Sequence, residues 1–136
     1  MASIHKDIEV AAPAHDAWDA LREYGAVHKR VAAGFVVDAY VEGDDRVVTF
    51  ASGAQARERL VTLDDERRRL VYTVVDGPLG ATHHQASVEV VDGEDGPDRG
   101  CTLLWTTDVL PHHLAPAIDA LMDQGAAAMA RTLGSV

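Results

Sequence analysis

Apolar and polar residues alternate from the start of the chain. In "SIHKDIEVAA", Ile4, Lys6, Ile8 and Val10 fall on one side of an extended segment and His5, Asp7 and Glu9 on the other, which predicts a first strand. The period then changes. In "APAHDAWDALREYG", opened by Pro13, the residues Ala14, Ala17, Trp18 and Leu21 recur at helical spacing, and Gly25 marks a stop. "AVHKRVAAG", as far as Gly34, predicts a shorter second helix. Six β-rich segments follow, cut by turn residues: "FVVDAYVEG", "RVVTFASG", "QARERLVTL", "RLVYTVVDG", "HHQASVEVV" and "CTLLWTTDV". Their short connections imply an antiparallel meander. The Gly-, Asp- and Pro-rich "DGEDGPDRG" before the last of them reads as a flexible hairpin tip. From Leu114 the apolar positions Ile118, Leu121, Met122, Met129 and Leu133 return to helical spacing, with Pro116 tolerated in the first turn.

The order is strand, two helices, six strands, long helix. A curved antiparallel sheet of about seven strands, its apolar face covered by the terminal helix, is an α+β solution. Such a wrapping leaves space between sheet and helix, where pockets are concave and mostly apolar. The 136 residues fit one domain spanning 1–136, without repeat or linker. With 47% hydrophobic and 25% charged residues the chain is ordinary for a globular protein.

The net charge of −10 argues against nucleic acid and against electrostatic docking on anionic membranes, and leaves apolar or cationic small molecules open. No apolar run approaches a membrane span, and "MASIHKDIEV" lacks the apolar stretch of a signal peptide, so no membrane insertion is expected and the cytoplasm is the simple location. The single cysteine, Cys101, forms no intrachain disulfide and reads as a buried small apolar residue. Oligomeric state stays open between monomer and homodimer.

Strand parity sorts the candidate chemistry. In "HHQASVEVV" the set His84, Ala86, Val88, Val90 is apolar but for the histidine, so His84 is expected inward and His83 in water. In "QARERLVTL" two arginines, Arg57 and Arg59, occupy one face, which places Glu58 inward with Ala56, Leu60 and Thr62. In "CTLLWTTDV" the inner set is Cys101, Leu103, Trp105 and Thr107. The adjacent pairs His83-His84 and His112-His113 do not converge as chelators would, and one cysteine supports no thiolate set, so no metal and no other cofactor is expected. His112-His113, after Pro111, marks the approach to the last helix. "DDERRR", Asp64 to Arg69, reads as a solvated turn with local ion pairs.

The segment "ERLVTLDDERRRLVYTVVDGPLG", with the alternating strand and "CTLLWTTDV" that follow it, resembles the SRPBCC superfamily. That group includes START-type lipid carriers, the birch-pollen-allergen fold and polyketide cyclase/dehydrase-like proteins. "IEVAAPAHDAWDALREYG" is similar to the group's opening strand and helix through Pro13, Ala14, Trp18, Leu21 and Gly25. The resemblance covers nearly the whole chain and implies a helix-grip fold with an elongated cavity between sheet and terminal helix. Its pattern turns Tyr72 inward. Many relatives carry a tyrosine where this chain has His84, a local departure in chemistry.

If the "LDDER" turn joins its strands as a hairpin, Glu58 and Tyr72 lie within about one residue pair of each other, and a phenol–carboxylate hydrogen bond would satisfy both. Glu58, Tyr72 and His84 then form a polar group on a wall of Leu60, Val74, Val88, Leu103 and Trp105. Met122 faces it from the helix, and His28 closes one end. Three functions fit. The first is binding of a hydrophobic or aromatic, lipid- or polyketide-like molecule. The second is acid–base cyclisation or dehydration of a carbonyl substrate, with His84 or Glu58 moving the proton and Tyr72 holding the oxyanion. The third is a protein–protein adaptor.

Overall fold

A computed structural model describes residues 2–134, so Met1, Ser135 and Val136 of the expected domain lie outside the described residues. One seven-stranded antiparallel sheet runs in the order β1-β7-β6-β5-β4-β3-β2. Its strands are β1 (Ala2–Val10), β2 (Val36–Glu42), β3 (Asp45–Phe50), β4 (Gln55–Asp64), β5 (Arg69–Asp76), β6 (His83–Gly93) and β7 (Gly96–Leu110). Each of β2 to β6 pairs with its successor, and β1 returns to pair with β7. The expected meander is therefore present, and the fold is α+β. The "DGEDGPDRG" segment differs from its expected flexible tip. β6 and β7 continue through it to a tight turn, where Gly96 takes φ 100°, a conformation open to glycine.

Helix α1 (Ala14–Arg22) buries Ala14, Ala17, Trp18, Ala20 and Leu21, the stripe its spacing predicts. The second helix is not α-helical: a 3-10 turn (Tyr24–Ala26) runs into a wider π-type turn (Val27–Val31). Helix α2 (Ala115–Gly134), reached through a short turn at His112–Leu114, buries Ile118, Met122, Gly125, Ala128, Met129 and Leu133. Among the described residues, no helix is long and apolar enough to cross a membrane.

Bulges give the sheet its bend. Register shifts occur between Val36 and Asp38, between Arg57 and Glu58, and between Leu60 and Thr62, and each extra residue kinks its strand and increases its twist. The bent sheet closes on α2 through Gly125. A side-chain carbon there would sit 3.0 Å from the Trp105 ring and 3.3 Å from Phe35, so glycine is what lets the helix backbone approach the indole. Lys6, on the inward side of β1, reaches Asp119 and, at 2.8 Å, Asp123, tying the edge strand to the helix.

The Asp64–Arg69 turn is more than a solvated loop. Asp65 accepts hydrogen bonds from the Trp18 indole N–H at 2.9 Å and from Arg22 at 2.8 Å, while Arg67 and Arg68 reach Glu89 and Asp92 on β6. The turn thus clamps α1 and β6, which local sequence spacing does not reveal. On the outer face, Arg59 and Arg57 bracket Asp45 at 2.8 and 2.9 Å and together hold its carboxyl down to about 2. Cys101 is buried, and burial pushes its thiol up.

Candidate functional site

The β3–β4 hairpin sets Arg46 directly opposite Glu58. Both side chains are buried, and Arg46 Nε donates to Glu58 Oε1 at 2.8 Å. The guanidinium also donates from Nη1 to the Tyr24 carbonyl at 3.1 Å and lies 4.0 Å from the Tyr24 ring and 5.0 Å from the Tyr72 ring. A cation between two aromatic faces, with its carboxylate partner alongside, recovers part of what dehydration costs it. Tyr24 donates its hydroxyl to the Glu58 carbonyl at 2.8 Å, locking the turn after α1 onto β4. Burial pushes the phenols of both Tyr24 and Tyr72 well above their ordinary value.

The expected Tyr72–Glu58 hydrogen bond is absent. The two are one step apart in register, Glu58 opposite Val74 and Leu60 opposite Tyr72, but Arg46 takes the carboxylate. Arg46 escapes a parity reading because β3 buries side chains on both faces, Asp45 and Val47 on one and Arg46 and Val48 on the other. The signal that would find it is cross-strand: an Asp–Arg and an Arg–Glu pair fall into register when the hairpin turns at Ser52-Gly53.

Between sheet and α2 lies an inner chamber of about 100 Å³, walled by Phe35, Val48, Tyr72, Trp105, Met122 and Met129, with Arg46, Glu58 and Thr107 as polar contributors. Next to it an outer chamber of about 160 Å³ is bounded by Ala56, Val74 and the loop Gly77–Ala81. Phe50, Glu58, His84 and Leu121 line both and form the passage between them. A larger depression, about 610 Å³, lies outside against Asp16, Asp19, Arg30 and Arg131, but it is open and charged, and Arg30 is already paired with Asp19 and Glu23. The interior chambers have the concave, mostly apolar character of a ligand site.

The residues singled out in the sequence fall into three groups. Tyr72, Trp105 and Met122 line the inner chamber, Val74 lines the outer one, and Glu58 and His84 line both. Val88 and Leu103 are buried core residues, and Leu60 packs half-buried on that core; none of the three is on a chamber wall. His28 is not on the wall either. The wide turn directs Val27 and Val31 inward, Val27 reaches the chamber, and His28 Nδ1 is buried without a hydrogen-bond partner.

His83 is exposed and His84 half-buried, as alternation along β6 dictates. The His84 ring makes no hydrogen bond among the described residues. Burial, and secondarily the neighbouring His83, lower its pKa, so it is neutral at neutral pH. Among the described residues no group of three or more His, Cys, Asp or Glu is placed to hold a metal ion.

A bent antiparallel sheet gripping a long C-terminal helix defines the START-like, helix-grip class within the SRPBCC superfamily. Within it, the chain belongs to the polyketide cyclase / dehydrase and lipid transport family, whose model matches residues 1–134. That membership makes it one of a family of hydrophobic-ligand binders. A solved structure from Thermobifida fusca is 31% identical, covers 98% of this chain and 91% of its own, and superposes with a TM-score of 0.78. A START superfamily protein from Mycobacterium smegmatis is 15% identical with a TM-score of 0.74, over 98% and 94% of the two chains. Norcoclaurine synthase from Thalictrum flavum, solved in complex with dopamine and hydroxybenzaldehyde, is 22% identical with a TM-score of 0.73, over 98% and 84%. These last two show the shared fold. No curated protein matches the sequence.

Proposed function

We propose that the protein binds a small, mainly apolar molecule of about one aromatic ring, seated in the inner chamber and reaching past His84 toward the Gly77–Ala81 loop. The carrying observation is the chamber itself: Phe35, Trp105, Met122 and Met129 wall about 100 Å³ that adjoins the outer chamber at the Phe50, Glu58, His84 and Leu121 passage. An apolar cavity of about 150 Å³ holds benzene, so a ring seated in the inner chamber also takes up part of the outer one. Neither chamber reaches the roughly 300 Å³ at which pockets for drug-sized ligands begin, which favours a single ring over a long-chain lipid or a polycycle. The dopamine and hydroxybenzaldehyde found in norcoclaurine synthase are of this size. Native mass spectrometry of the purified protein, followed by organic extraction, tests the reading. A reproducible added mass that extracts as a small aromatic compound is expected. A clean unliganded mass together with no calorimetric response to single-ring probes would overturn it.

One observation favours a second reading, a catalyst of proton transfer at an enolisable carbonyl compound. His84 sits at the passage with a lowered pKa and no internal hydrogen bond, so it is a free neutral base. Glu58 in this reading remains the partner of Arg46. Base activity is carried by the unprotonated ring, so it rises as pH increases through a pKa lying below the ordinary 6.5 and is flat above it. Deuterium exchange from solvent into the α-carbon of a bound aryl ketone should follow that profile and vanish in His84→Phe. Exchange unaffected by the substitution would remove His84 from the chemistry.

A further inference from the structure

The polar atoms of the inner chamber are unevenly matched. Glu58 is its one carboxylate, and the buried Arg46 already neutralises it. Of the remaining polar groups, Arg46 and Trp105 can only donate, whereas Tyr72, Thr107 and the neutral His84 can each donate and accept. The Trp105 indole N–H is buried with no hydrogen-bond partner, on a side chain only 7% exposed. It lies beside the Tyr72 phenol and acts on it, yet is not aligned for a hydrogen bond with it. An indole N–H can only donate, so Tyr72 can receive from Trp105 but cannot give its own hydrogen back. That hydrogen has no acceptor among the described residues, although Tyr72 is only 8% exposed and lines the chamber. The guanidinium of Arg46, paired with Glu58, lies 5.0 Å from the Tyr72 ring. Buried donors left without acceptors are uncommon in folded proteins and carry a free-energy penalty.

We infer that the molecule held in this cavity is an uncharged aryl compound bearing a carbonyl-type oxygen, and that this oxygen accepts from the Tyr72 hydroxyl, backed by the Trp105 N–H, at the inner end. The inference rests on the binding reading above and narrows it. An acceptor oxygen gives the two unpartnered donors of the inner end, the Tyr72 hydroxyl and the Trp105 N–H, a partner. A ligand ammonium would bring further donors to Arg46, Trp105 and Tyr72 and meet a carboxylate that is already paired. A hydrocarbon would leave the phenol hydrogen unmatched. The net acidity of the protein does not reverse this preference, because those charges lie mainly on exposed residues, screened by solvent.

Three probes of nearly the same shape separate the possibilities: acetophenone, α-methylstyrene and 1-phenylethylammonium. They place a carbonyl oxygen, a methylene and an ammonium at the same position on the ring. Titration calorimetry on the full chain should show acetophenone binding roughly tenfold tighter than α-methylstyrene, the ratio expected for one net hydrogen bond, and 1-phenylethylammonium binding weakest. In Tyr72→Phe the ratio of acetophenone to α-methylstyrene affinity should fall to about one. The wild-type comparison decides the matter even if that variant does not fold. Equal affinity for acetophenone and α-methylstyrene, or a preference for the ammonium, overturns this inference while leaving a cavity that binds small rings. No binding of any probe overturns both.

Discussion

Truncating Glu58 to alanine is expected to destabilise the fold by about 3–5 kcal/mol, because it strands the Arg46 guanidinium in a buried site without its carboxylate. In a domain of this size that corresponds to a fall in melting temperature on the order of 10–20 °C. Arg46→Met should be similarly damaging, for it leaves the carboxylate alone. The double substitution Arg46→Met with Glu58→Leu should recover most of the loss, since two apolar side chains of similar volume carry no dehydration penalty. Denaturant unfolding of the two single variants and the double variant gives the coupling directly. A loss below about 1 kcal/mol in Glu58→Ala would mean that solvent in the outer chamber reaches the pair and already screens it. The same experiment bears on chemistry. A carboxylate whose main effect is on folding is an anchor for Arg46, which leaves His84 as the base in the proposed proton-transfer reading.

Leu103→Ala is the second large effect. Leu103 is fully buried at the middle of β7, opposite Ile8 on β1 and Val90 on β6. Removing its branched end leaves a void among three strands that cannot collapse without shifting a ladder, so a loss of about 3–5 kcal/mol is expected. Because Leu103 lies in the core and not on a chamber wall, the dissociation constant for a single-ring probe should stay within about threefold of the parent. Thermal unfolding and titration calorimetry on the same sample check both halves. Weak binding combined with intact stability would place Leu103 on the cavity after all.

These two residues also show what alternation along a strand can and cannot convey. It separates the two faces of β6 and β7, because each has one plainly polar side, and it brings Glu58 inward because arginines fill the opposite side of β4. It does not separate a residue packed under the cavity floor from one that lines it. Leu103 and Trp105 share a face, yet only Trp105 reaches the chamber, because α2 comes close at Gly125. Leu60 leaves the wall where the bulge before Thr62 bends β4.

Arg46 is hidden for a different reason. β3 is covered on both sides, so its pattern names no inside, and only the pairing register reveals the charge opposite Glu58. His28 lies off the wall because the wide turn at Val27–Val31 buries Val27 and Val31 in its place. The Asp65 clamp on Trp18 and Arg22 joins segments far apart in the chain, and no short-range pattern encodes such a contact.

The pairing of β1 with β7 carries a consequence for how the molecule is made. All nine residues of Ala2–Val10 find their ladder partners on the last strand of the sheet. On a ribosome the opening strand therefore emerges long before the segment that completes it, so its pairing is expected to form late in folding. Pairings of such long sequence separation fold slowly and leave intermediates with unpaired edges. During that interval Ile4, Ile8 and Val10 have no cover, and the interleaved Lys6, Asp7 and Glu9 act as charged gatekeepers against association with other nascent chains.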